Sequence, residues 1–81
     1  MVTLTFLTRA DCHLCETARK AIAEAVAGRD VNVDEIDIDS DDDLSGQYGW
    51  DVPVVLLNGR QHSFHRVDTD RLSKALAALG A

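Results

Sequence analysis

Val2-Thr3-Leu4-Thr5-Phe6-Leu7-Thr8-Arg9-Ala10-Asp11-Cys12-His13-Leu14-Cys15 passes from one periodicity to another. Val2, Leu4 and Phe6 share one face of an extended segment, and Thr3, Thr5 and Leu7 share the other, which predicts a strand. Thr8 to Asp11 reads as the turn after it. From Leu14 the apolar residues recur at helical spacing, with Leu14, Ala18, Ala21, Ile22, Ala25 and Val26 as one stripe. Glu16, Lys20 and Glu24 form the solvated face, and Gly28 is a natural stop. Both cysteines of the chain, Cys12 and Cys15, therefore lie where a strand gives way to a helix. Thiols at this C-x-x-C spacing can close a small disulfide ring or share a metal. At a helix start Cys12 faces unpaired N–H groups and the positive end of the dipole, which lower a thiol pKa. Cys15 adjoins the apolar stripe and Cys12 does not, so Cys15 is expected to be the covered sulfur and Cys12 the exposed one. Asp11 is a candidate cap whose charge would oppose ionisation of Cys12. Arg9 is either a solvated loop cation or a group that attracts an anionic substrate or the thiolate.

Composition narrows the function classes. The 81 residues are 46% hydrophobic and 27% charged, which suits one globular domain spanning residues 1–81. A net charge of -6 argues against nucleic acid or an anionic membrane as partner. No apolar run approaches the ~20 residues of a membrane span. Met1 to Thr8 lacks the pattern of a signal peptide, so a cytoplasmic location is expected. There, a C-x-x-C pair is more often redox-active or metal-binding than a structural staple.

The remaining chain supplies the other elements. Val31 to Asp39 is extended, but its alternation slips between Val31/Val33 and Ile36/Ile38. A bulge near Asp34-Glu35, or a strand that starts only there, would explain the slip. Ser40 is the expected cap of a short acidic helix carrying Leu44 and Tyr48, weakened by Gly46 and ended by Gly49. Val54-Val55-Leu56-Leu57 reads as a strand covered on both faces. Asn58-Gly59 predicts a type I′ hairpin turn, with Gln61 to Val67 as the return strand. Asp68 or Thr69 caps a last helix whose core stripe is Leu72, Ala75, Leu76 and Leu79, closed by Gly80. The order β-α-β-α-β-β-α implies an α/β fold. Its first two strands are parallel across a right-handed helical crossover, and the last two form a hairpin in one four-stranded mixed sheet flanked by helices.

That order, with C-x-x-C at the first strand–helix junction and Val52-Pro53 before the third strand, resembles the thioredoxin fold, and its short length resembles the glutaredoxin branch. More narrowly, Leu7 to Cys15 (L-x-x-x-x-C-H-L-C) and Val52 to Gly59 (V-P-V-V-L-L-N-G) are similar to small bacterial glutaredoxin-like proteins. The resemblance implies a thiol–disulfide oxidoreductase acting on protein or mixed disulfides. Cys12 matches the attacking thiolate, Cys15 the resolving thiol, and Pro53 the proline that is cis in this fold. The backbone of Val52 would then pair with an extended substrate like an added strand. A protonated His13 between the cysteines would stabilise a thiolate; otherwise it is an exposed residue at the helix start. No bound cofactor is implied. The reductant would be glutathione, another low-molecular thiol or a flavoprotein reductase, and the partner a disulfide-containing protein or low-molecular thiol met by a monomer. Where glutathione-binding glutaredoxins carry Gly-Gly and an acid before the last helix, this chain has His65, Arg66 and then Asp68 and Asp70. Close backbone approach of a γ-glutamyl group is therefore disfavoured, while Asp68 or Asp70 remains able to meet an amino group or to serve as a helix-end acid.

Rival readings use the same residues. Cys12 and Cys15 with His62 and His65 would make a zinc set, but histidines three apart on one expected strand point to opposite faces. A cluster of iron and sulfur bridged by two chains is a related alternative. Asp37-x-Asp39-x-Asp41 begins like a calcium loop but has Asp42 where glycine is required and Tyr48 where glutamate is required. A non-enzymatic adaptor would use the scaffold, with Tyr48 and Trp50 on its surface; these two equally suit the rim of a substrate groove or packing against the sheet.

Overall fold

The computed structural model describes residues 2–49 and 51–81, so the surface role considered for Trp50 lies outside the described residues. The elements are β1 (Val2–Thr8), α1 (His13–Val26), β2 (Val31–Asp37), a 3-10 turn (Ile38–Ser40), α2 (Asp42–Tyr48), β3 (Val54–Leu57), β4 (Arg60–Phe64) and α3 (Thr69–Ala78). They form one four-stranded mixed sheet in the order β2-β1-β3-β4, with β1 parallel to β2 and antiparallel to β3. Among the described residues no helix is long and apolar enough to cross a membrane.

The alternation of β1 sorts its side chains into two cores. Val2, Leu4 and Phe6 meet Cys15, Ala18, Ile22 and Ala25 of α1 and Leu72 and Leu76 of α3. On the other face Leu7 joins Ile38 and Val54, with Leu44 and Tyr48 of α2 packed against them. Complete burial of a side chain such as Leu4 or Leu76 contributes about 1.5–3 kcal/mol. Asn58 and Gly59 take the left-handed conformations a type I′ turn needs, with φ of 51° and 84°. Asn58 also donates its N–H to Thr3 O (2.8 Å) and accepts the Thr3 N–H on Oδ1 (3.0 Å), fastening the hairpin to β1.

Three local expectations, for β2, β4 and the start of α2, are corrected. β2 has no bulge and starts at Val31: its register with β1 runs unbroken from Val2↔Val31 to Thr8↔Asp37. The slip in alternation is a change of covered face along an edge strand. Val31 packs on the α1–α3 core, Ile36 on the α2 core, and Val33 between them is 41% exposed. The break in register lies in β4 instead, where Val55 faces Ser63 and Leu56 faces Gln61, leaving His62 as the extra residue. β4 ends at Phe64 rather than Val67, because β3 offers no partner before Val54 and His65 turns at φ 63°. Asp41, not Ser40, caps α2, accepting the N–H groups of Asp43 and Leu44 at 2.9 and 3.2 Å. Ser40 instead donates to Asp37 O at 2.6 Å.

In the helices, Leu14 and Leu79 leave the expected stripes, being 43% and 47% exposed. Cys15 takes the inward position that the stripe gave to Leu14. Asp68 is the residue that caps α3, accepting the Arg71 N–H at 3.0 Å.

Candidate active site

The turn after β1 brings the chain to α1 through Asp11, which takes a left-handed φ of 59°. It leaves the capping position to Cys12, whose extended backbone (φ -97°, ψ 106°) starts the helix. Asp11 is therefore not the cap. Cys12 Sγ accepts the N–H of Cys15 at 3.1 Å, one of the donors a helix start leaves without an internal partner. The two cysteines are joined as a disulfide across a Cα–Cα separation of 5.2 Å.

Their environments differ. Cys15 is 1% exposed and belongs to the α1–α3 core, whereas Cys12 is half-buried and borders it. A thiolate at the Cys12 position would meet the Cys15 N–H and the positive end of the α1 dipole, both of which favour the charged form.

The Val52–Pro53 peptide bond is cis. Pro53 is buried and Val52 is half-buried against both cores. The N–H of His65 donates to Pro53 O at 2.8 Å and to Asp51 O at 3.3 Å, so the loop after β4 is laid along the proline segment. That loop and α1 enclose an open groove of about 320 Å3 lined by His13, Leu14 and Thr17 on one side and His65, Arg66 and Val67 on the other. His13, the first residue of α1, is exposed at its edge.

Two candidates are engaged elsewhere. Arg9 is held by Asp39, with Nη2 at 2.9 Å and Nε at 3.2 Å from the carboxylate, and Nη1 donates to Gly49 O at 3.1 Å. The Asp39 carboxylate, first by hydrogen bonding, raises the Arg9 pKa above its ordinary value. Arg9 thus clasps the end of β1 to the α2 segment, where a Cβ on Gly49 would stand 2.5 Å from Ser45 O. Asp68 accepts the Arg71 N–H as helix cap.

The rival sets fare as follows. Among the described residues no cluster of three or more His, Cys, Asp or Glu side chains is placed to hold a metal. The strand geometry expected for the histidines does not apply, since His62 sits in the β4 bulge and His65 lies beyond the strand. Burial, followed by the charge of Arg71, lowers the His62 pKa below its ordinary 6.5. Of the three aspartates of the calcium-like run, Asp37 accepts the Asp39 N–H, Asp39 holds Arg9, and Asp41 caps α2.

Leu14, Thr17 and Val67 were not expected at the groove. Leu14 fits an inward stripe with Ala18 and Ile22 at i,i+4 spacing, but Cys15 fits one with Ala18 at i,i+3 equally well, and it is Cys15 that the core takes up.

Residues 3–77 match the glutaredoxin-like domain (DUF836) family. The structural genomics target protein XcR50 from X. campestris is 39% identical, with a TM-score of 0.76 over 93% of this chain and 96% of that one. An uncharacterized protein of Mycobacterium tuberculosis is 36% identical over 76 residues, 88% of this chain and 78% of that protein. A mutant thioredoxin from Halobacterium salinarum is 24% identical with a TM-score of 0.72, covering 95% of this chain and 73% of that one, a likeness of fold alone. With its β-α-β-α-β-β-α order and a disulfide-bonded C-x-x-C pair at the first strand–helix junction, the chain belongs to the glutaredoxin-like (DUF836) family and has the thioredoxin-like fold.

Proposed function

We propose that this protein is a thiol–disulfide oxidoreductase that reduces protein or mixed disulfides. The observation that carries the reading is a half-buried cysteine at a helix mouth, bonded to a fully buried one within the same turn. In the reduced pair the Cys12 thiolate attacks a substrate disulfide, forming a Cys12–substrate bond and releasing one substrate sulfur as a thiolate. The Cys15 thiolate then attacks the Cys12 sulfur, closing the Cys12–Cys15 bond and releasing the second. Two electrons pass from the dithiol to the substrate. The backbone of Val52 would pair with the extended substrate, and a protonated His13, next to Cys12 in the chain, would support the thiolate. A low-molecular thiol such as glutathione, or a flavoprotein reductase, would return the pair to the dithiol.

The test is a paired assay: reduction of a glutathione mixed disulfide with glutathione as donor, and of insulin with a thioredoxin reductase system. Activity in at least one assay, abolished by Cys12→Ser, is expected. Equal rates for wild type and Cys12→Ser would contradict the assigned nucleophile. Inactivity in both assays would favour the adaptor reading.

A further inference from the structure

We propose that the groove beside Cys12 docks an acidic polypeptide segment flanking the disulfide of a protein substrate, an inference that rests on the dithiol reading and specifies its substrate. The ionisable side chains that line the groove are His13, His65 and Arg66, all basic, in a chain whose net charge is -6. The acids nearest in sequence, Asp11, Glu16, Asp51, Asp68 and Asp70, are not among its lining residues. Asp68 is already bonded to the Arg71 N–H, and Asp39 of the acidic run is paired with Arg9. A docked segment meets the basic lining first, and charges more than about 8 Å from it are largely screened at physiological salt.

The groove also presents apolar surface, from Leu14, 43% exposed, and half-buried Val67. Its His65 side is tied to the proline segment by the bond from the His65 N–H to Pro53 O at 2.8 Å. An extended chain reaching from Val52 into the groove would thus place several residues on either side of its cysteine against protein. A polypeptide with acidic and apolar residues matches that length and lining. Complementary charge acts chiefly on association rate and partner choice.

The experiment compares two oxidised peptides that share one disulfide loop, one with Asp/Glu flanks and one with Lys flanks. Protein reduced with dithiothreitol and freed from it is mixed with each in a single turnover, giving protein disulfide and peptide dithiol. Each rate is divided by that of dithiothreitol with the same peptide, which removes intrinsic differences in reactivity. The acidic peptide is expected to react about tenfold faster at low salt, less so in high salt, with the preference reversed in Arg66→Glu. Equal rates, a preference for the Lys peptide, or a preference unchanged in Arg66→Glu would overturn the proposal. Neutral 2-hydroxyethyl disulfide separates the levels: if it is reduced without any acidic preference, only this inference fails. If neither it nor the peptides are reduced, the dithiol reading fails as well.

Discussion

Cys12 Sγ and the backbone N–H of Cys15 meet at 3.1 Å inside the first turn of α1. One cysteine is thereby both the helix cap and the half-buried partner of a fully buried one. If Cys15 resolves what Cys12 begins, a Cys15→Ser variant stalls at the first step. It is expected to accumulate a mixed disulfide with substrate through Cys12, seen as a mass increase that dithiothreitol removes. Cys12→Ser should accumulate none, and an adduct on that variant would assign the first attack to Cys15.

Asp68 distinguishes a cap from a substrate contact. Its carboxylate accepts the Arg71 N–H at the start of α3. Asp68→Ala should destabilise the protein by about 0.5–2 kcal/mol in urea unfolding, whereas Asp68→Asn, an equally good cap, should lose little. If the carboxylate acts only as a cap, Asp68→Asn also keeps its KM for a glutathione mixed disulfide. A raised KM with unchanged stability would restore the amino-group role.

Two of the three leucines of the expected α3 stripe, Leu76 and Leu79, should part company. Leu76 is fully buried in the α1–α3 core, and Leu76→Ala should cost about 2–5 kcal/mol. Leu79 is 47% exposed, so Leu79→Ala should stay within about 0.5–1 kcal/mol of wild type. Chemical denaturation of both variants measures the difference. Equal losses would contradict the placement of the helix.

His62 gives a sign for pH dependence. Burial lowers its pKa in the folded state below 6.5, so below that value the unfolded chain binds more proton than the folded one. Its contribution is present above pH 6.5 and is lost as pH falls through the lower folded value. Because the residue is only partly buried the effect should be small. Urea midpoints measured from pH 7.5 to 5 should fall less in His62→Gln than in wild type. A steeper fall in the variant would contradict the direction.

The fold was legible where local rules and packing agree. Alternation in Val2 to Leu7, the helical stripe after Cys12, and Asn58-Gly59 each specify one geometry, and together they order the sheet. The cis Val52–Pro53 bond was legible only through family resemblance, since nothing in its composition favours that isomer. Errors fell where one pattern admits two structures. Val31 to Ile38 looks slipped because an edge strand changes its cover from α1 to the α2 side along its length. Ser40 and Asp41 are both good caps, and the 3-10 turn that takes up Ser40 leaves the cap to Asp41. Arg9 stands next to the cysteines in sequence, yet its partner Asp39 is 30 residues away, a pairing no spacing rule reveals. The groove has the same character: His13 and Arg66 become neighbours through the proline segment and not through any local motif.

Thiol reactivity in the fully reduced protein addresses the central claim with no substrate at all. Brief treatment with limiting iodoacetamide at pH 7, followed by peptide mass spectrometry, reports which sulfur is the readier nucleophile. Label on Cys12 well ahead of Cys15 is the predicted result. Label on Cys15 first, or on both equally, would contradict it.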